Sequence, residues 1–111
     1  MNLKSLLLFL IILPTASYAH DRIPPPELWS WYKAMNKSSD ACKLQSQFIL
    51  EKIGIQNIVH NEYGVYGTHT SNRIVIKCLP NKEKSLLWVA VAGSDRDSVE
   101  ILRNKIVSDV N

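Results

Sequence analysis

Apolar residues are arranged in three different ways along this chain, and each arrangement predicts a different kind of segment. Near the amino terminus, Leu6-Leu7-Leu8-Phe9-Leu10-Ile11-Ile12-Leu13 forms an unbroken apolar run behind Lys4. It is broken by Pro14 and followed by Ser17-Tyr18-Ala19. A positive start, an apolar centre and small residues before the cut are the three parts of a cleavable secretory signal. The run is far short of the ~20 residues that span a bilayer. Residues 1–19 are therefore expected to form a signal peptide cut after Ala19, with no membrane anchor left behind.

Helical spacing follows. Pro24-Pro25-Pro26 predicts an extended lead-in, after which Leu28, Trp31, Tyr32 and Met35 fall at i, i+3, i+4 and i+7. That spacing predicts a short helix over Glu27 to Met35. Ser38-Ser39-Asp40 supply N-cap candidates for a second helix running to about Ile53. Leu44 and Phe48 make its stripe, with Cys42, Ile49 and Ile53 beside it, and Gly54 is placed to end it in the left-handed conformation.

From Ile55 the period shortens to that of strands. Ile55 to Asn61 contains β-branched residues and reads as a strand, and Tyr63-Gly64-Val65-Tyr66-Gly67 reads as a turn with room for strand on either side. Arg73 to Leu79 reads as a strand, Pro80 to Lys84 as a polar loop, and Leu86 to Ala92 as a second strand paired with the first. Ser94 is the expected cap of a last helix, with Asp97 three residues on and an apolar face of Val99, Leu102 and Ile106. The expected fold is α+β: a small two-layer domain with an antiparallel sheet of three to four strands. Helices pack on one face, in the order α-α-β-β-β-α. Nothing divides residues 20–111, which are expected to form one exported domain.

Charge and cysteine content narrow the function. The chain carries a net charge of +3, and removal of Lys4 leaves +2, with both signs interspersed. A nucleic-acid binder would show a basic stripe, so export and composition together exclude that class. Two cysteines in an exported chain predict one disulfide, Cys42 to Cys78, and no C-x-x-C suggests a redox role. Alternation places Ile74, Ile76 and Cys78 on one strand face, turned toward the helix of Cys42, with Lys77 on the opposite face.

Few residues offer chemistry. If Gly64-Val65 is a two-residue turn, His60 falls opposite His69 with Glu62 on the same face. Two imidazoles and a carboxylate would suit zinc with a position left open; the competing reading is a solvated polar face. After cleavage His20 would be the terminal residue, whose amine and ring suit copper, against the simpler reading of a loose terminus. No Gly-x-Ser-x-Gly elbow occurs. Asp95 and Asp97 beside Gly93-Ser94 complement a helix dipole and would repel a phosphate. Asn36-Lys37-Ser38 is a glycosylation acceptor only in a eukaryotic host.

The aromatic residues are the stronger signal. Trp29, Trp31 and Tyr32 follow the proline run, and Tyr63 and Tyr66 are flanked by glycines. Such residues are rich in binding energy at interfaces. On the helical reading Trp31 and Tyr32 point inward and Trp29 outward. Separately, Val89-Ala90-Val91-Ala92-Gly93-Ser94-Asp95-Arg96-Asp97 through Glu100-Ile101-Leu102-Arg103 resembles the strand–turn–helix of SPOR domains. That resemblance implies peptidoglycan binding, and the cysteines lie outside it.

Three functions are therefore expected in order. The first is a small exported binding protein without catalytic activity, such as an inhibitor or immunity-type protein for an envelope enzyme or toxin. The second is a small metal-binding protein or hydrolase using His60, Glu62 and His69. The third is a SPOR-like cell-wall binder. No cofactor is expected apart from that metal, and the partner is a protein or an envelope component.

Overall fold

Strand spacing in the second half of the chain becomes a continuous meander, and the first segment joins it. The computed structural model describes residues 23–111; the leader and His20 lie outside them. The elements are β1 (Glu27–Met35), α1 (Ser39–Ile53), β2 (Gln56–Asn61), β3 (Gly64–His69), β4 (Asn72–Asn81), β5 (Lys84–Gly93) and α2 (Arg96–Asp109). All strand pairs are antiparallel, in one five-stranded sheet ordered β1-β5-β4-β3-β2. The class is α+β as expected, but among the described residues the sheet has five strands and two helices accompany it.

The main correction is β1. Residues 27–35 form an edge strand paired with β5 from Glu27↔Gly93 to Met35↔Ser85, where helical spacing predicted a helix. A nine-residue helix is too short to hold by its own propensity. Leu28-Trp29 and Trp31-Tyr32 are adjacent apolar pairs, so as a strand the segment puts apolar side chains on both faces, and Trp and Tyr favour strands. Pairing then satisfies the edge of β5, which would otherwise present a row of open backbone groups beside an apolar face.

The hairpins are tighter than expected. Pairs Asn61↔Gly64, His69↔Asn72 and Asn81↔Lys84 close three two-residue loops. The first loop is Glu62-Tyr63, and Gly64 to His69 is strand rather than turn. Asn61 sets it: its side-chain oxygen accepts from the backbone N–H groups of Tyr63 (2.8 Å) and Gly64 (3.2 Å), the local bonding that makes Asn a turn residue. Pro80, expected to open a loop, lies inside β4. Pairing with β3 ends at Ile76, so the missing proline N–H interrupts no ladder there.

Both helices cover one face of the sheet. Ser38 caps α1 by accepting from the Ala41 N–H, and Gly54 closes it at φ 91°. Its buried side is Cys42, Ser46 and Leu50, while Leu44 and Phe48 are exposed, the reverse of the expected stripe. The disulfide fixes this roll. Cys42 bonds Cys78 on β4 with a Cα–Cα distance of 5.9 Å, and residues two further along point about 200° away. On α2, Asp95 rather than Ser94 is the cap, accepting from Ser98 N–H at 2.9 Å. Val99, Leu102 and Ile106 are buried as expected. They meet Ile74, Ile76 and Cys78 of β4 and Leu87, Val89 and Val91 of β5 in one core.

One contact in this core is unforgiving. Asn72, at the start of β4, is buried and donates through Nδ2 to Ser98 Oγ at 2.9 Å. Its Oδ1 has no hydrogen-bond partner and lies where a Cβ on Gly93 would stand, with Val99 Cγ2 also pressing there at 3.0 Å. Gly93→Ala is expected to cost about 2 to 3 kcal/mol through overpacking, measured as a lower urea midpoint at unchanged m-value. In an Asn72→Ala background most of that loss should vanish, since the clashing atom is gone. Equal losses in both backgrounds would place the steric conflict elsewhere.

Candidate functional site: the open face of the sheet

Strand alternation sends half of every strand away from the helices, and in this protein that half is largely apolar. On β5 the outward residues are Leu86, Trp88, Ala90 and Ala92, because Leu87, Val89 and Val91 are buried under the helices. Register extends them into rows. Tyr32, Trp88 and Lys77 lie side by side, as do Ser30, Ala90, Val75, Tyr66 and Val59. Leu28, Ala92, Arg73 and Thr68 form a third row, and Ala34, Leu86 and Leu79 a fourth.

The surface is uncovered in fact as well as by position. Leu28 is 71% exposed, Tyr32 66%, Val59 53% and Leu79 46%. At its centre the small side chains of Ala90 and Ala92 leave a shallow depression of about 220 Å³, rimmed by Leu28, Tyr66 and Arg73. Strand spacing and rise give the whole face an area of roughly 600 Å². That area, polar positions such as Ser30, Thr68, Arg73 and Lys77 included, is close to the ~800 Å² that one partner contributes to a standard interface.

The aromatic candidates divide between two sides of β1. Tyr32 and Tyr66 stand on the open face. Trp29 and Trp31 turn toward α2, where arginines stack on them. Arg96 lies 5.6 Å from the centroid of Trp29, and Arg103 lies 5.3 Å from Trp29 and 5.7 Å from Trp31. Arg103 also donates to the Ser30 carbonyl at 2.8 Å, and Lys33 Nζ to the Val107 carbonyl at 2.6 Å. Trp29 is half-buried, correcting the expectation that it points outward. Tyr63 is exposed in the β2–β3 loop, outside the rows.

The histidines are not brought together. His60 pairs with Val65, and His69 with Asn72. The loop lies two residues earlier than the zinc arrangement required, so His60 and His69 are separated by four residues along the ladder, roughly 13 Å. Glu62 is exposed in the loop itself. Among the described residues, no group of three or more His, Cys, Asp or Glu side chains could hold a metal ion. His20 lies outside the described residues.

Between the helices, Ile49, Lys52, Ile53, Lys105 and Asp109 line an open groove. Lys105 and Asp109 pair there at 3.0 Å. The hydrogen bond from Lys105 holds the Asp109 carboxyl below the usual aspartate range, so the groove's acid is already satisfied from within its own helix. No described helix is long and apolar enough to cross a membrane.

Trp88, Leu28, Val75, Arg73 and Lys77 are site residues that the sequence pattern does not mark as such, although alternation places Lys77 on this face of its strand and a further signal is present. Leu86 to Ala92 is apolar at every position. A strand apolar on both sides is normal when layers cover both faces of a sheet. In a domain with helices on one face only, the same run means that the other face is an apolar surface. No family model, curated protein or solved structure matches this chain.

Proposed function

We propose that this is a small exported binding protein without catalytic activity, whose protein partner docks on the open face of the sheet. Inhibition of an envelope enzyme, or neutralisation of a toxin, is the kind of task such a face performs. The carrying observation is the row of exposed Tyr32 and half-buried Trp88 with its apolar neighbours. Aromatic anchors of this sort supply most of the energy in interfaces. The buried Cys42–Cys78 bridge is consistent with an oxidising compartment, in keeping with the secretory reading of residues 1–19.

The test is capture and affinity. The mature protein is used to isolate and identify its partner from the exported fraction of the producing cell, and the purified pair is then titrated. Tyr32→Thr with Trp88→Thr keeps residues suited to strands and is expected to weaken binding about a hundredfold, with circular dichroism unchanged. Leu44→Ala with Phe48→Ala, on the outer side of α1, should leave affinity intact. A wild-type protein that captures nothing overturns the proposal. So does a partner that tolerates the sheet variant or is lost with the helix variant.

A further inference from the structure

The charges on the open face are all of one sign. Arg73 is exposed and Lys77 half-buried among the apolar rows, and Lys84 stands at the end of β5. Among the described residues, no open-face strand position carries a carboxylate; Glu62 and Glu83 sit in loops at the sheet's ends. Asp40 and Glu51 on α1, and Asp95, Asp97, Glu100 and Asp109 at α2, lie in the helical layer. Neither Arg73 nor Lys77 has a carboxylate partner among the described residues. The other two described arginines are engaged: Arg96 and Arg103 stack on tryptophan. Among the described residues, the sheet face thus presents cations without a carboxylate partner beside a small apolar depression.

Resting on the reading that a protein docks here, we infer that the docked segment is acidic. It is a polypeptide presenting a large apolar side chain next to carboxylates. The apolar side chain enters the depression over Ala90 and Ala92, and the carboxylates meet Arg73 at its rim and Lys77 beside Trp88. Arginine's planar fork suits a carboxylate in particular. A second copy of the chain fits poorly face to face, since the cations of one face would meet no carboxylate at the described strand positions of the other. A nucleic acid or sulfated glycan would call for denser cations on a less apolar surface.

The probe is a displayed library of random peptides of about eight residues, enough in extended form to cross the sheet at about 3.4 Å per residue. The library is selected on the folded protein. Sequences enriched on wild type are expected to combine Asp or Glu with a large apolar residue and to lose binding to Tyr32→Thr/Trp88→Thr. Their affinity should fall at least tenfold in Arg73→Glu/Lys77→Glu and fall with added salt. Selection on the charge-reversed protein should instead enrich basic peptides.

The other outcomes are separable. Neutral or basic peptides that still need Tyr32 and Trp88 would overturn the acidic assignment and leave the docking face standing. Peptides indifferent to both variants, or no enrichment at all, would overturn both. Heparin bound through Arg73 and Lys77 more tightly than any selected peptide would assign the face to an anionic glycan. Concentration-dependent dimerisation abolished by Tyr32→Thr/Trp88→Thr would assign it to self-association.

Discussion

Replacing Cys42 and Cys78 together by alanine is expected to lower the unfolding free energy by about 4 kcal/mol. The bridge spans a sequence separation of 36, and a closed loop of that length removes about this much free energy from the disordered chain. Small domains have only ~5–15 kcal/mol in total, and those below a hundred residues bury a smaller share of their surface. The bridge is also the covalent tie between α1 and the sheet. Cys42 is fully buried and Cys78 nearly so, so the variant loses packing at that junction as well. Chemical denaturation of both forms measures the difference. A loss below about 1 kcal/mol would mean that α1 is held by Leu50, Ile49 and Ile53 alone, and that the chain-entropy account is wrong for this protein.

The bridge also explains where the sequence was readable. Once Cys42 is assigned to Cys78, the inward side of β4 follows by alternation, and Ile74 and Ile76 are buried as that requires. Loop and cap residues act over three or four positions, so Gly54 could be placed from its neighbours. Tertiary choices were harder. The roll of α1 depended on the bridge rather than on its most apolar stripe, and Leu44 and Phe48 ended outside. Residues 27–35 carry helical spacing and no strict alternation, and it is the otherwise unpaired edge of β5, some 60 residues away, that makes them a strand.

The candidate site was partly legible for the same reason. Tyr32 and Tyr66 were visible as aromatic residues in suggestive neighbourhoods. What joins them is register, which puts Trp88 beside Tyr32 and Val75 beside Tyr66. A shift of one residue in a strand exchanges its two faces, and no local pattern fixes register across five strands. The pairing of His60 with His69 turned on such a shift: the loop at Glu62-Tyr63 sets His60 against Val65 instead.

The second large effect is expected on β1, where packing on one face controls what the other presents. Trp29→Ala is expected to cost about 2 to 3 kcal/mol, from lost burial and two lost arginine contacts. Trp31→Ala, on a residue 55% exposed with one such contact, should cost about 1 kcal/mol or less. The arginines clamp β1 from the side opposite Leu28 and Tyr32, and Arg103 holds the Ser30 carbonyl between them. Losing Trp29 should therefore loosen the edge strand before the sheet as a whole. Amide exchange measures this: β1 amides in Trp29→Ala should accelerate by a larger factor than those of β4, whose neighbours on both sides remain. A partner bound through Tyr32 would then be held more weakly, although Trp29 never touches it. The loss would follow from the reduced fraction of molecules with β1 in place. Uniform acceleration across β1 and β4 would show that Trp29 supports the entire fold, and that β1 is no separate platform for Leu28 and Tyr32.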